Sequence, residues 1–193
     1  MEDSIVTVVE QMSRISAAFK YWRTPVTDVF NDSKFFGATA EVGLKWRPII
    51  TRMIDTDKSA MTELLGLSLC LLSSFPSSSD LYPQGKLTAA ASSANIFTSR
   101  DYENQMRAMN IRRLSYILFS AEKNHYLIQL PGIQEKLVDL FKGNMPPNVE
   151  SEVYLCIRVL LCRLSPHNLS SFWPVLLAEL VSVFPHAVMD HKG

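Results

Sequence analysis

Residues 153–164 read VYLCIRVLLCRL, and only Arg158 and Arg163 interrupt the apolar run. The spacing predicts a helix over Val149–Ser165 that is apolar on nearly every face. Such a helix is covered on most sides by neighbours, so it forms the structural centre of the fold. The two arginines either snorkel outward or are paired where they are buried.

Working outward from this helix, the pattern stays helical. Downstream, Ser171–Phe184 reads as a last helix with Pro174 in its first turn and Glu179 as its main polar residue. Upstream, Gly143–Asn148 with Pro146-Pro147 is a stop, preceded by a helix over Ile133–Lys142. Pro131-Gly132 breaks the chain, and Asn124–Leu130 forms a short helix. Asp101–Ala121 is a longer helix with Tyr102, Met106, Met109, Leu114, Ile117 and Leu118 inward. Thr98 and Asp101 stand at its start with capping-box spacing.

Residues 73–95, SSFPSSSDLYPQGKLTAAASSAN, lack any period and are rich in serine. They read as an exposed, mobile loop. Before it come helices over Lys58–Leu72, with Asp57 or Ser59 as N-cap, and over Glu41–Asp55. A connector, Ser33–Gly43, carries Phe35 and Phe36. Trp22–Asn31 is a helix with Pro25 in its first turn, where a missing N–H costs little. Asp3–Tyr21 is the first helix, with Ile5, Val8, Val9, Met12, Ile15 and Phe19 on one stripe. Trp22 before Pro25, Trp46 before Pro48 and Trp173 before Pro174 form a weak repeated echo, each pair opening a helix.

The expected fold is all-α. Roughly seven to nine helices stand in antiparallel neighbouring pairs, as an α-solenoid of HEAT-like kind or a helical bundle. Residues 1–193 form a single helical domain. Seven glycines in 193 residues, and no Asn-Gly or Asp-Gly hairpin signal, leave little room for β-structure.

Composition narrows the function. Lys+Arg and Asp+Glu are both 19, so the net charge is zero and no long-range field gathers nucleic acid. Apolar residues at 47 % and charged residues at 20 % support a sizeable core. The N-terminus, with Glu2, Asp3 and Glu10, lacks the basic start of a secretory signal, and no apolar run reaches the length of a membrane span. Cys70, Cys156 and Cys162 read as reduced, buried thiols of a cytosolic protein. Cys156 and Cys162 fall about 240° apart on a helix, and no two of His125, His167, His186 and His191 have metal-ligand spacing. No nucleophile elbow or glycine-rich phosphate loop is present, and Asp55 and Asp57 read as helix caps. We therefore expect no catalytic residues, no metal and no cofactor.

Two groups of residues are candidates for contact with a partner. Arg107, Arg112 and Arg113, together with Lys45, Arg47 and Arg52, could meet an acidic partner or an anionic lipid. Arg112 and Arg113 lie about 140° and 120° from Arg107 in helical projection, and Glu103 pairs with Arg107 at four residues' distance, so a solvated, salt-bridged face is favoured for this cluster. Phe172, Trp173, Leu177, Leu180 and Phe184 form a candidate association surface on the last helix. Neither that helix nor the first carries the polar outer face that caps a helical array.

Residues 95–142 resemble the Dopey family of large trafficking proteins. The residues that carry the likeness are Asn95, Phe97, Arg100, Asp101, Glu103, Arg107, Ala108, Met109, Arg113, Leu114 and Phe119, then Tyr126 to Leu130-Pro131 and Ile133 to Val138. Arg158 to Leu161, Ser165-Pro166, Leu169, Trp173-Pro174 and Glu179 to Val181 continue it, and Phe35-Phe36, Trp46-Arg47, Ile49-Ile50 and Asp57-Lys58 fit as well. The likeness spans about residues 14–184 and departs at 68–90, where the family pattern is shorter. It implies a fragment from the C-terminal region of a much longer protein. By the same resemblance, the role would be that of a non-enzymatic scaffold on endosomal and late Golgi membranes. Its expected partner is a large protein related to the Arf guanine-nucleotide exchange factors, or a second copy as a homodimer. Some family members are linked to phosphoinositide and kinesin binding, so a phosphoinositide-binding peripheral module is the alternative.

Overall fold

The structure is a computed structural model and describes residues 2–57, 59, 61, 92–142, 145–179 and 181. Among these residues there are helices and no strand. The expected helix over Lys58–Leu72, apart from Ser59 and Met61, lies outside the described residues, as does the serine-rich segment up to residue 91.

The helix expected over Asp3–Tyr21 is two elements. α1, Glu2–Ser13, ends where Ser13 Oγ donates to the Glu10 carbonyl at 2.7 Å, a local bond that competes with the helical ladder. A 3-10 turn over Ser16–Ala18 leads into α2, Phe19–Asn31. α2 buries Trp22, Val26 and Phe30, spaced four apart on one face. Pro25 sits inside this helix instead of in its first turn, so the ladder lacks the N–H that would meet the Tyr21 carbonyl.

A second 3-10 turn, Ser33–Gly37, places Phe35 in the core. α3, Ala40–Thr56, starts at Thr39, whose hydroxyl accepts from the Val42 N–H at 3.5 Å, and it buries Trp46, Ile49, Ile50, Met53 and Ile54. Trp46 and Pro48 lie inside α3, as Trp22 and Pro25 lie inside α2. Of the three Trp/Pro pairs, only Trp173-Pro174 opens a helix, so the echo is not a structural repeat.

α4, Ser92–Ser120, begins nine residues before the expected Asp101. Residues 92–95 therefore belong to a helix, and Thr98 and Asp101 stand within it instead of capping it. Leu114, Ile117 and Leu118 are buried as expected, whereas Tyr102 is exposed. Residues 121–129 are turns in place of the expected short helix. α5, Leu130–Phe141, takes Pro131 into its first turn and buries Leu130, Ile133, Leu137 and Leu140. Pro131 thus opens the helix it was expected to precede, because its missing N–H would have had no partner there.

α6, Pro147–Arg163, carries the stretch that decides the fold. Val149, Val153, Cys156, Ile157 and Leu160 are buried, while Leu155, Arg158, Leu161 and Cys162 are exposed. The helix is therefore covered on one broad side and open on the other. A 3-10 turn, Pro166–Leu169, and helical residues 173–179 follow, with Phe172 and Leu176 buried.

Side-chain bonds give the directions. Arg23 pairs with Asp57 and Thr27 reaches Met53, so α2 and α3 are antiparallel. Tyr116 donates to the Gly43 carbonyl and Arg47 to that of Phe119, so α3 and α4 run the same way. Arg112 pairs with Glu152 and Arg163 meets Ala121, so α4 and α6, the most extensively packed pair, also run the same way. α5, which lies between them in the chain, carries it back from the end of α4 toward the start of α6. Antiparallel neighbours thus account for only part of the packing. Phe30, Phe35, Phe36, Trp46 and Tyr116 form an aromatic cluster where α2, α3 and α4 meet, with Phe30 and Phe35 edge to face at 5.1 Å.

Candidate interaction surfaces

The last carbonyls of an α-helix have no partner within it. Here arginines of neighbouring helices supply donors for them. Arg113 of α4 is buried and donates from Nε to the Phe30 carbonyl at 3.2 Å, and from its terminal nitrogens to the Asn31 carbonyl and Asn110 Oδ1. It holds the C-terminus of α2. Arg47 of α3 donates to the Phe119 carbonyl at 3.1 Å and that of Ser120 at 3.5 Å, and Arg163 of α6 donates to that of Ala121. Together they close the C-terminus of α4, with both guanidinium groups near the Phe119 ring.

The remaining basic candidates are also engaged. Arg52 ties α1 to α3 through Glu10 Oε1 at 3.2 Å and Ser13 Oγ at 2.8 Å. Arg112 pairs with the buried Glu152 and lies near the Phe36 ring, and the bond to Glu152 holds its pKa above the ordinary arginine value. Arg107 is buried, which pushes its pKa down, and the Glu103 charge acts against that. Lys45 is half-buried. The favoured solvated face for Arg107, Arg112 and Arg113 is therefore corrected: two of the three are interior. Helical projection shows the direction of a side chain on its own helix. It cannot show that the end of another helix stands opposite.

Exposed apolar residues include groups on the first helix and on the last described one. On the last described helix Trp173, Leu177 and Val181 are 38 %, 55 % and 66 % exposed. Phe172, expected beside them, points inward and is buried, because it belongs to the turn that precedes the helix. Leu180 and Phe184 lie outside the described residues. On α1, Ile5, Val8 and Met12 are exposed, and Ile15 continues the stripe just beyond the helix. The expected stripe thus splits: Ile5, Val8, Met12 and Ile15 face outward, Val9 and Phe19 pack against the core, and Val6, off that stripe, is buried.

A third feature escaped the sequence reading. Asn124 adopts a left-handed backbone, φ 63°, and its side chain accepts from Ser165 N–H at 2.8 Å while donating to Ser165 Oγ at 2.8 Å. Its own N–H donates to the Arg163 carbonyl at 2.9 Å. Tyr126 is buried beneath this turn, and Ile128 stands 91 % exposed at its tip. Asparagine's tolerance of left-handed backbone is the signal that could have marked the turn.

The cysteines differ from one another. Cys156 is fully buried and its thiol is pushed up to about 12 by desolvation, whereas Cys162 is exposed, which corrects the expectation of burial. Cys70 lies outside the described residues. His125 Nε2 meets Asp55 Oδ1 at 2.8 Å, His167 is exposed, and His186 and His191 lie outside the described residues. Asp57 Oδ1 accepts from the Ser59 N–H at 3.2 Å, as a capping side chain does. Among the described residues no three or more His, Cys, Asp or Glu side chains gather, and no helix is long and apolar enough to cross a membrane.

Comparison with known proteins adds the relationships. The family model described as DOP1 C-terminal matches residues 1–192. The chain is 34 % identical over 176 residues to a Protein DOP1 homolog of Drosophila melanogaster, covering 90 % of this chain and 6 % of the fly protein. It is 30 % identical over 175 residues to Protein pad-1 of Caenorhabditis elegans, covering 90 % of this chain and 6 % of that protein. To Protein DOP1B of Mus musculus it is 25 % identical over 185 residues, 96 % of this chain and 7 % of the mouse protein. The chain thus spans only a small fraction of the length of these relatives. No solved structure matches it.

Proposed function

Because the chain belongs to the DOP1, or Dopey, family, we propose that it is a helical interaction segment of a large peripheral membrane-traffic protein. It acts without catalysis, between endosomes and the late Golgi, and its mechanism is the burial of a few anchor side chains against a partner. The partner is a large scaffold related to the Arf guanine-nucleotide exchange factors, or a second copy of this chain. The observation that carries the reading is the exposed Trp173, Leu177 and Val181 on one short helix, an apolar patch with a tryptophan of the kind that dominates binding energy at interfaces.

The alternative, a phosphoinositide-binding module, draws less support from the structure. Arg113 is buried with all three of its nitrogens donating to protein acceptors, and Arg47 and Arg52 each commit a terminal nitrogen to one. Capture from cytosol with the wild-type chain and a Trp173→Ala/Leu177→Asp variant tests the proposal. Retention of a large protein by the wild type, lost at least tenfold in the variant, is the expected result. Equal retention by both would place binding elsewhere, and recovery on phosphoinositide vesicles alone would favour the lipid reading.

A further inference from the structure

An open cleft of about 580 Å³ lies between α3 and the C-terminal end of α4. Arg47, Thr51 and Arg52 line it from α3, and Glu122 and His125 from the turn after α4. Arg47 and Thr51 stand four residues apart, so they share a face of α3 on successive turns. Arg47 commits Nη2 to the carbonyls of Phe119 and Ser120, at 3.1 Å and 3.5 Å. Its Nε has no acceptor, and the Thr51 hydroxyl has no partner. Polar groups left in this way are costly, and a ligand that meets them recovers the cost.

The charges around the cleft leave one cation unmatched. Arg52 Nη1 meets Glu10 Oε1 at 3.2 Å, and His125 Nε2 meets Asp55 Oδ1 at 2.8 Å. Arg47 has only carbonyl oxygens and the Phe119 ring beside it. Glu122 is exposed and lines the same cleft, yet among the described residues it pairs with neither arginine.

We propose that this cleft binds a side-chain carboxylate, an Asp or Glu of a partner protein, which accepts from Arg47 with the Thr51 hydroxyl and Arg52 Nη2 as further donors. One unmatched guanidinium suits one carboxylate. A phosphate ester carries nearly two negative charges at neutral pH, and its second charge would stand near Glu122 and Asp55. The exposed Leu44, with Pro48, lines the cleft as well and offers apolar surface to the stem of the incoming side chain. The cleft shares no residue with the Trp173–Leu177 patch, so this reading does not rest on that one.

The 193-residue chain and fluorescein-labelled hexaglutamate provide the test, followed by fluorescence anisotropy at low salt. Hexaglutamate should bind saturably and hexalysine should not. Glu122→Gln should tighten hexaglutamate binding about threefold, because it removes a like charge from the cleft. Glu122 makes no side-chain bond among the described residues, so this variant leaves the fold intact. Arg47→Gln should weaken binding about tenfold, and Thr51→Val by a smaller factor. Circular dichroism establishes that each variant is folded. Absence of saturable hexaglutamate binding would overturn the proposal, and so would an affinity that Glu122→Gln leaves unchanged. Retention on vesicles carrying phosphatidylinositol 4-phosphate, lost in Arg47→Gln, would overturn it in favour of a lipid.

Discussion

Arg113 Nε donates to the Phe30 carbonyl at 3.2 Å, so a guanidinium in the middle of α4 closes the C-terminal end of α2. The same group reaches the Asn31 carbonyl and Asn110 Oδ1, and burial pushes its pKa down from the usual arginine range. The Phe30 and Asn31 carbonyls it meets are uncharged oxygens at the negative end of α2.

Arg113→Met should therefore destabilise the fold by about 2–4 kcal/mol, since it leaves carbonyls at the end of α2 without donors. Arg113→Lys should recover only part of this, because one ammonium cannot fork between carbonyls as a guanidinium does. Urea unfolding followed by circular dichroism checks both. Equal stability of wild type and Arg113→Met would show that water satisfies those carbonyls as well.

Leu160 is buried to 2 % exposure on the inner side of α6. Leu160→Ala should cost about 2–5 kcal/mol, as other buried leucine truncations do. Leu161→Ala, one residue along and on the open side, should cost well under half as much. Thermal unfolding of the two variants side by side reads the difference.

Asn124 combines a left-handed backbone with two side-chain bonds to Ser165. Asn124→Gly keeps the backbone conformation and loses the bonds. Asn124→Ala loses the bonds and strains the backbone as well. The expected order of stability is wild type, then glycine, then alanine, with the last about 2–3 kcal/mol below the first. Alanine matching glycine would mean that the turn relaxes its φ.

Burial raises the Cys156 thiol from 9.0 to about 12. The folded state then keeps its proton across a range in which the unfolded state has lost it. The unfolded state binds fewer protons there, so this contribution is fully present below about pH 9 and fades as pH rises toward 12. Tyr116, pushed from 10.0 up to about 12 by burial, acts in the same direction. Stability measured by urea titration should fall steadily above pH 9, and Cys156→Ala should make the fall shallower. In the native protein a disulfide reagent should label Cys162 and spare Cys156 until the chain unfolds.

The sequence by itself determined the helical class and the placement of most described helices, because the periodicity of apolar residues and the stops at Pro146-Pro147 act locally. It marked α6 as a helix covered on most sides, but Leu155, Arg158, Leu161 and Cys162 leave one side of it open, and only Val149, Val153, Cys156, Ile157 and Leu160 on the other side are buried. What it could not determine is which side of α1 turns inward. Of the stripe expected over Ile5, Val8, Val9, Met12, Ile15 and Phe19, Val9 and Phe19 pack inward, whereas Ile5, Val8, Met12 and Ile15 face outward on the helix whose Glu10 and Ser13 are held by Arg52 of α3. The roles of Arg47, Arg113 and Arg163 were likewise settled only when the ends of α2 and α4 came to rest against them. Periodicity records the shape of one helix at a time. The free carbonyls and ion-pair partners that decide how helices meet are separated by 34 to 83 residues of chain, and only the tertiary structure brings them together.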